Sequence, residues 1–199
     1  MAWLVAGLGN PGERYATTRH NVGRMVADAL VRDADARYRK VRFLPVEAAE
    51  LRLGDERVIV ARSIRYMNEA GPGYASLAKK HGIEPERVIA VHDELDIPAG
   101  TIRVKRGGGT SGHNGVRSMA GGFGTPGFLR VRVGIGRPPG RQDPADFVLQ
   151  PIAKRDHPDM ELLLAHAADA VRALVADGLE RTQDRYNRST PSPEGATSS

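Results

Sequence analysis

A chain of 199 residues, 40% of them hydrophobic, has the length of one domain and enough apolar material to bury a core. The absence of cysteine excludes disulfides and thiolate metal sites and fits a reducing compartment, so a cytoplasmic location is expected. The formal net charge is +5, no run approaches the ~18 apolar residues of a membrane helix, and Met1–Leu8 is too short and lacks the basic flank of a signal peptide.

Trp3–Leu8 is short and continuously apolar, as a buried strand is. It runs into a turn in which Gly7, Gly9 and Gly12 match G-x-G-x-x-G. A dinucleotide site, and with it nucleotide-dependent oxidoreduction, requires the last glycine to open a helix whose N-terminus holds the pyrophosphate. Pro11 has no N–H to donate, Glu13 sets a negative charge where the phosphates would sit, and helical periodicity begins only at Val22. The turn is read instead as the mount of a polar site, Asn10 and His20, at the carboxyl end of the first strand.

Val22, Met25, Val26, Ala29 and Leu30 predict a helix over Asn21–Arg37. Val46–Leu53 and Arg57–Ala61 read as strands flanking a Gly54-Asp55 turn. Asn68 is placed to cap a helix reaching Lys80, although Gly71-Pro72-Gly73 weakens its first turn. Arg87–Val91 is a β-branched strand with His92-Asp93-Glu94 at its end, and Thr101–Lys105 alternates as a half-exposed strand does. Gly107–Gly112 reads as a loop, followed by a short helix over Asn114–Met119 and a strand over Phe128–Ile135 with Arg130 and Arg132 on one face. Met160, Leu163, Leu164, Ala167, Val171, Leu174 and Val175 trace an amphipathic C-terminal helix. Residues 189–199 carry no large apolar side chain and are expected to be disordered, which leaves 1–188 as the domain. The alternation of strands and helices predicts a single-domain, three-layer α/β sandwich with a mixed, largely parallel sheet. Ligands of such folds gather at the carboxyl ends of strands, where both Asn10 and Asp93 fall.

Charge is unevenly placed. The stretch from Ile97 to Gln142 holds eight basic residues (Arg103, Lys105, Arg106, Arg117, Arg130, Arg132, Arg137 and Arg141) and no acid, so the rest of the chain sums to −3. A solvated basic face explains this blandly; a polyanionic partner explains it better.

Five segments stand in register: Asn10 to His20; Tyr66-Met67-Asn68; His92-Asp93-Glu94-Leu95-Asp96; Gly107 through Gly115; and Phe128 through Pro138. Together they resemble the bacterial peptidyl-tRNA hydrolase family over about residues 3–150. The resemblance implies a monomeric α/β enzyme that cleaves the ester between a peptide and the terminal ribose of tRNA, recycling tRNA released prematurely in translation. It implies catalytic roles for His20, Asp93 and Asn10, and substrate contacts from Tyr15, Tyr66, Met67, Asn68 and Asn114. It also implies a grip on tRNA by Lys105 and Arg132, with Arg103, Arg106 and Arg130 as auxiliaries. The chain departs from the family pattern at Arg62-Ser63, Arg65 and Ala70, where a Lys-Pro pair, a threonine and a serine are usual.

The chemistry stands without the family. An aminoacyl ester is activated relative to an amide, so its hydrolysis needs water, a base titrating near neutrality and donors for the carbonyl oxygen. Histidine supplies the base, a carboxylate on its other nitrogen fixes the tautomer and supports the imidazolium, and asparagine amides supply donors. Neither metal nor cofactor is expected: His113, His20, His92 and Asp93 show no H-x-H or H-x-x-x-H spacing. Blander readings remain beside these. Asp93 serves equally as a cap, with Glu94 and Asp96 as rival carboxylates; Asn10 and Asn114 suit turns with positive φ; Met67 suits a core. A non-catalytic RNA-binding protein on the same fold is the competing function, its mark being loss of the base. Gly109 to Gly112 also spells the GxxG of KH domains, a weak signal alone.

Overall fold

The structure, a computed structural model, describes residues 1–188, so the tail expected to be disordered lies outside the described residues. One sheet contains β1 (Ala2–Gly7), β2 (Arg39–Lys40), β3 (Val46–Leu53), β4 (Glu56–Ser63), β5 (Val88–Glu94), β6 (Ile102–Arg106) and β7 (Leu129–Gly134). Their order is β2-β3-β4-β1-β5-β7-β6. The four central strands β4, β1, β5 and β7 are parallel; the outer pairings β2–β3, β3–β4 and β6–β7 are antiparallel. The helices are α1 (Val22–Asp33), α2 (Gly71–Lys80), α3 (Asn114–Phe123), α4 (Pro144–Val148), α5 (His157–Asp177) and α6 (Leu179–Tyr186). The mixed, largely parallel α/β sandwich predicted from the alternation of elements is what forms.

Strand alternation divides the core in two. Val5, Val60, Val91 and Val131 pack against Val26 and Leu30 of α1 and Ala167 and Val171 of α5. Leu4, Ala6, Ile59 and Ala90 pack on the other face against Tyr74 and Leu77 of α2 and Val116 and Met119 of α3. Each of the valine, leucine, isoleucine and methionine side chains contributes about 1.5–3 kcal/mol of burial. All seven residues of β5 are buried, including His92, Asp93 and Glu94, so the central strand carries polar groups into the interior at its end. At Gly23 a Cβ would collide with the Val91 carbonyl oxygen. This glycine seats the first turn of α1, and the His20 turn before it, directly on β5.

Several boundaries differ from expectation for local reasons. α1 stops at Asp33 rather than Arg37, because Ala34 leaves helical geometry and Asp35 is left-handed, with φ 49°. Asn68 does not cap α2. It lies in a 3-10 turn, Met67–Glu69, and the Gly71 N–H at the start of α2 is taken by Ser118 Oγ of α3 at 2.9 Å. β5 extends through Glu94, and α4 and α6 were not expected.

The outer side of β6 faces α6 and the residues that follow it. Asn187 accepts from the Val104 N–H and donates to the Val104 carbonyl, both at 2.8 Å, while Arg103 donates to the carbonyls of Tyr186 and Arg188. Among the described residues no helix is long and apolar enough to cross a membrane.

Candidate active site

A cleft of about 600 Å³ opens at the carboxyl edge of the parallel strands and is lined by Asn10, His20, Tyr66, Met67, Asn68, Asp93, His113 and Asn114, among others. Four segments distant in sequence meet there: the loop after β1, the 3-10 turn before α2, the end of β5 and the start of α3. Tyr15 stands beside this lining, its ring edge-on to the exposed Tyr66 with centroids 6.3 Å apart.

His20 Nδ1 lies 3.0 Å from both oxygens of Asp93. With the carboxylate as acceptor, Nδ1 carries the proton and Nε2 is the lone-pair nitrogen. Alternation explains why Asp93 is the partner among three neighbouring acids. It follows Val91 on the face covered by α1, which His20 immediately precedes. Glu94 turns to the other face, where Arg130, Arg132 and Lys105 stand, and Asp96 is an exposed partner of Arg137. Burial alone would raise the Asp93 pKa; the donors His113 and His20 outweigh it and hold the carboxyl well below the usual range. His92 donates Nδ1–H to the Asp93 carbonyl at 2.7 Å, and burial, with His113 beside it, pushes its pKa down to about 3. His92 is therefore a neutral structural ring.

Asn10 is fixed before any ligand arrives. Its N–H donates to Asn21 Oδ1 at 2.8 Å and its carbonyl accepts from Asn21 Nδ2 at 2.9 Å. Its own Oδ1 accepts from the Met67 N–H at 2.8 Å, which leaves the Nδ2 donors for the cleft. Neither Asn10 nor Asn114 has positive φ, so the turn-residue reading does not apply to either. Met67 is 2% exposed and belongs to the core as well as to the cleft wall.

Two contributors escaped sequence reasoning. α4 and its flanks supply Asp143, Pro144, Ala145, Val148 and Leu149 to the cleft wall. Phe147 sits under the Arg19 guanidinium at 4.3 Å and so braces the His20 turn from outside. The signal was Asp143 before Pro144, a cap followed by a first-turn proline, and Asp143 does cap α4 through Oδ1. The second is His113. Its Nε2 lies 2.8 Å from Asp93 Oδ1, and its Nδ1 accepts from the N–H groups of Gly115 and Val116, capping α3.

The ligand atoms of His20, Asp93 and His113 fall within 4.8 Å of one another, a spacing a metal ion can bridge. The hydrogen bonds argue against that use. Because His113 Nδ1 is an acceptor, Nε2 must carry the proton, and His20 Nδ1 carries another; both point at the Asp93 carboxylate. A metal here would have to displace two protons from nitrogens that the network protonates.

Lys105 and Arg132 are not among the residues lining this cleft; they lie on β6 and β7, Lys105 beside Gly108 of the glycine loop. Burial, then repulsion from Arg132 and Arg130, lowers the Lys105 pKa. Burial likewise lowers that of Arg132, with Glu94 acting in the opposite direction. Arg132 Nε is buried without a hydrogen-bond partner among the described residues. The expected auxiliaries are engaged elsewhere. Arg130 is 1% exposed and donates to the carbonyls of Gly108 and Gly109, pinning the loop, Arg103 holds the end of α6, and Arg106 donates to the Gly127 carbonyl.

Residues 4–194 match the family model described as peptidyl-tRNA hydrolase. The peptidyl-tRNA hydrolase of Frankia alni is 52% identical over 185 residues, covering 93% of each chain. That of Kineococcus radiotolerans is 48% identical over 193 residues, covering 94% of this chain and 97% of its own. Among solved structures, peptidyl-tRNA hydrolase from Acinetobacter baumannii superposes with a TM-score of 0.86 at 31% identity, covering 96% of this chain and 97% of that one.

Proposed function

Because this chain belongs to the peptidyl-tRNA hydrolase family, and is thus an enzyme that hydrolyses peptidyl-tRNA, we propose that His20 is the general base of that hydrolysis. The observation that carries this is the Nδ1 bond to Asp93 at the head of the cleft, which presents Nε2 as a base. His20 Nε2 takes a proton from water as the oxygen attacks the ester carbonyl carbon. Asp93 supports the resulting imidazolium. Asn10 Nδ2 donates to the carbonyl oxygen as it becomes anionic, and Asn68 and Asn114 position the peptide backbone and the water. On collapse, the carbonyl–oxygen bond to the ribose breaks and the imidazolium returns its proton to the ribose oxygen, leaving a free peptide acid and tRNA. General-base action supplies about 10²–10⁴-fold and one oxyanion donor about 10²–10³-fold. Tyr15, Tyr66 and Met67 form the wall along which the peptide lies. The reading includes action as a monomer in a cytoplasmic setting that recycles tRNA, and the cysteine-free composition fits that setting. The direct test is release of N-blocked amino acids from tRNA in the presence of EDTA. Activity abolished by the chelator and restored by zinc would overturn the scheme.

Asp93→Asn is expected to lower turnover by less than loss of the imidazole itself, which costs about 10²–10⁴-fold. The carboxylate accepts from two histidines; an amide has one acceptor oxygen and must turn its NH₂ toward the other donor. The acid limb of the rate profile moves to lower pH, because the negative charge supporting the imidazolium is gone. Asp96→Asn, altering an exposed residue paired with Arg137, leaves turnover near wild type. The opposite ranking would show that the wrong carboxylate has been chosen.

The cationic face of Lys105 and Arg132 receives the tRNA end phosphate, a role supported by the crowding of positive charge and by the Arg132 Nε, unpaired among the described residues. Lys105→Ala and Arg132→Ala are each expected to weaken tRNA substrates and spare a minimal ester without the tRNA body. The slope of log K against log salt flattens by roughly 0.7–0.9 per lost contact. Equal losses on both substrates would assign these residues to folding or chemistry instead.

A further inference from the structure

His113 joins two parts of the cleft that the proposed reaction uses separately. Its Nε2–H reaches Asp93 Oδ1 at 2.8 Å, the oxygen that His20 also approaches at 3.0 Å. Its Nδ1 receives the Gly115 and Val116 N–H groups at 3.1 and 3.3 Å, so the ring is also the cap of the helix that opens with Asn114. The ring is nearly buried, packed between His20 and His92 with centroids 4.8 and 4.9 Å away. Its tautomer is set by the backbone: with Nδ1 as acceptor, the proton is on Nε2, and the ring offers Asp93 a neutral donor.

We propose that His113 is a positioning residue for the hydrolysis, holding the Asp93 carboxylate in the orientation that receives the His20 N–H and tying it to the helix turn that carries Asn114. The proposal rests on the reading of His20 as base and Asp93 as its partner. A buried carboxylate held by His20 alone is free to rotate about its Cβ–Cγ bond and directs all its charge at one ring. With a second donor on Oδ1, rotation is blocked and the charge is shared. The same ring ties the carboxylate to the first turn of α3, because Nε2 bonds to Asp93 while Nδ1 receives the Gly115 and Val116 N–H groups just after Asn114.

Other titratable and charged groups surround this network. β5 contributes His92 and Glu94, and β7 contributes Arg130, which acts on His92. Arg19 belongs to the His20 turn and Arg117 to the first turns of α3. Arg137, its partner Asp96, and Asp143 stand at the cleft wall.

His113→Asn separates the two roles of the ring. Asparagine is a good helix cap, so α3 keeps its N-terminal acceptor, but the side chain is too short to reach Asp93. Turnover of N-blocked aminoacyl-tRNA is expected to fall about tenfold, the scale of one hydrogen bond to a charged group, with KM little changed. The acid limb is expected to move to higher pH by about half a unit, since Asp93 then presents more negative charge to His20. This is opposite in sign to the shift expected for Asp93→Asn. In an Asp93→Asn background the same substitution is expected to change turnover less than about twofold. A merely structural cap would lower the melting temperature and leave the limb where it was. His113→Ser, which also caps, is measured in the same way should the asparagine variant fold poorly. An unmoved limb with turnover within about twofold of wild type, or an equal loss in the Asp93→Asn background, overturns the proposal. Full activity of His20→Ala would instead overturn the base assignment; an inactive His20→Ala beside a silent His113→Asn removes only the role of His113.

Discussion

His20→Ala lowers the turnover of N-blocked aminoacyl-tRNA by about 10²–10⁴-fold while tRNA binding changes little, because a general base acts in the transition state. The structure makes this a clean measurement. The ring is 13% exposed at the edge of the cleft, and its bond to the protein is to Asp93. Removing it leaves the His113 bond to Asp93 in place and opens no large void in either core, so the loss reads chemistry rather than unfolding. Single-turnover assays beside a binding isotherm for uncharged tRNA check it. A variant that loses binding and turnover in equal measure would place His20 in recognition instead of catalysis.

Asn10→Asp is expected to lose about 10²–10³-fold, more than Asn10→Ala. Asn10 Oδ1 already accepts from the Met67 N–H, and an aspartate keeps that acceptor. What changes is the group facing the cleft: an NH₂ donor becomes a carboxylate oxygen, negative where the ester carbonyl develops negative charge. Alanine removes both the donor and the Met67 anchor but adds no repulsion. The same ranking is expected at Asn114. Equal melting temperatures of wild type and Asn10→Asp, with the rate loss confined to kcat, are the supporting result. Near-normal turnover of the aspartate variants at both positions would remove the asparagines from the reaction.

Much of the fold was legible because it is written in short-range patterns. Leu4 through Leu8 and Val88 through Val91 are apolar runs that cannot be left in water, and both lie in the central parallel strands. The failures lie where neighbours decide. Asn68 has the right side chain to cap a helix, yet the Gly71 N–H is satisfied from α3, 47 residues away, and no local rule anticipates a tertiary cap. α6 carries few apolar residues and is held by packing on β6, so periodicity offers little to detect. At the site, the residues alone left Asp93, Glu94 and Asp96 as rivals, because the strand was expected to end at Val91; only with β5 running through Glu94 does two-residue alternation separate them. His113 was not legible: its value lies in a bond to Asp93 across 20 residues, and the spacing in the chain gives no hint of it. The acid-free basic stretch overstated the cationic surface, since Arg130 and Arg103 are spent on backbone carbonyls and Arg137 on Asp96.

An open sheet has two rims, and each is a ladder of unpaired backbone groups that another chain can extend. Here one rim is β2, two residues long and made of Arg39 and Lys40, too short and too charged to template a neighbour. The other is β6, whose outward-facing amide and carbonyl at Val104 are met by the single amide of Asn187, a side chain standing in for one residue of an eighth strand. Both rims are thereby poor templates for strand-to-strand joining of copies. The last described turn of the chain thus covers the middle of the longer rim, where the strand of a second copy would otherwise pair.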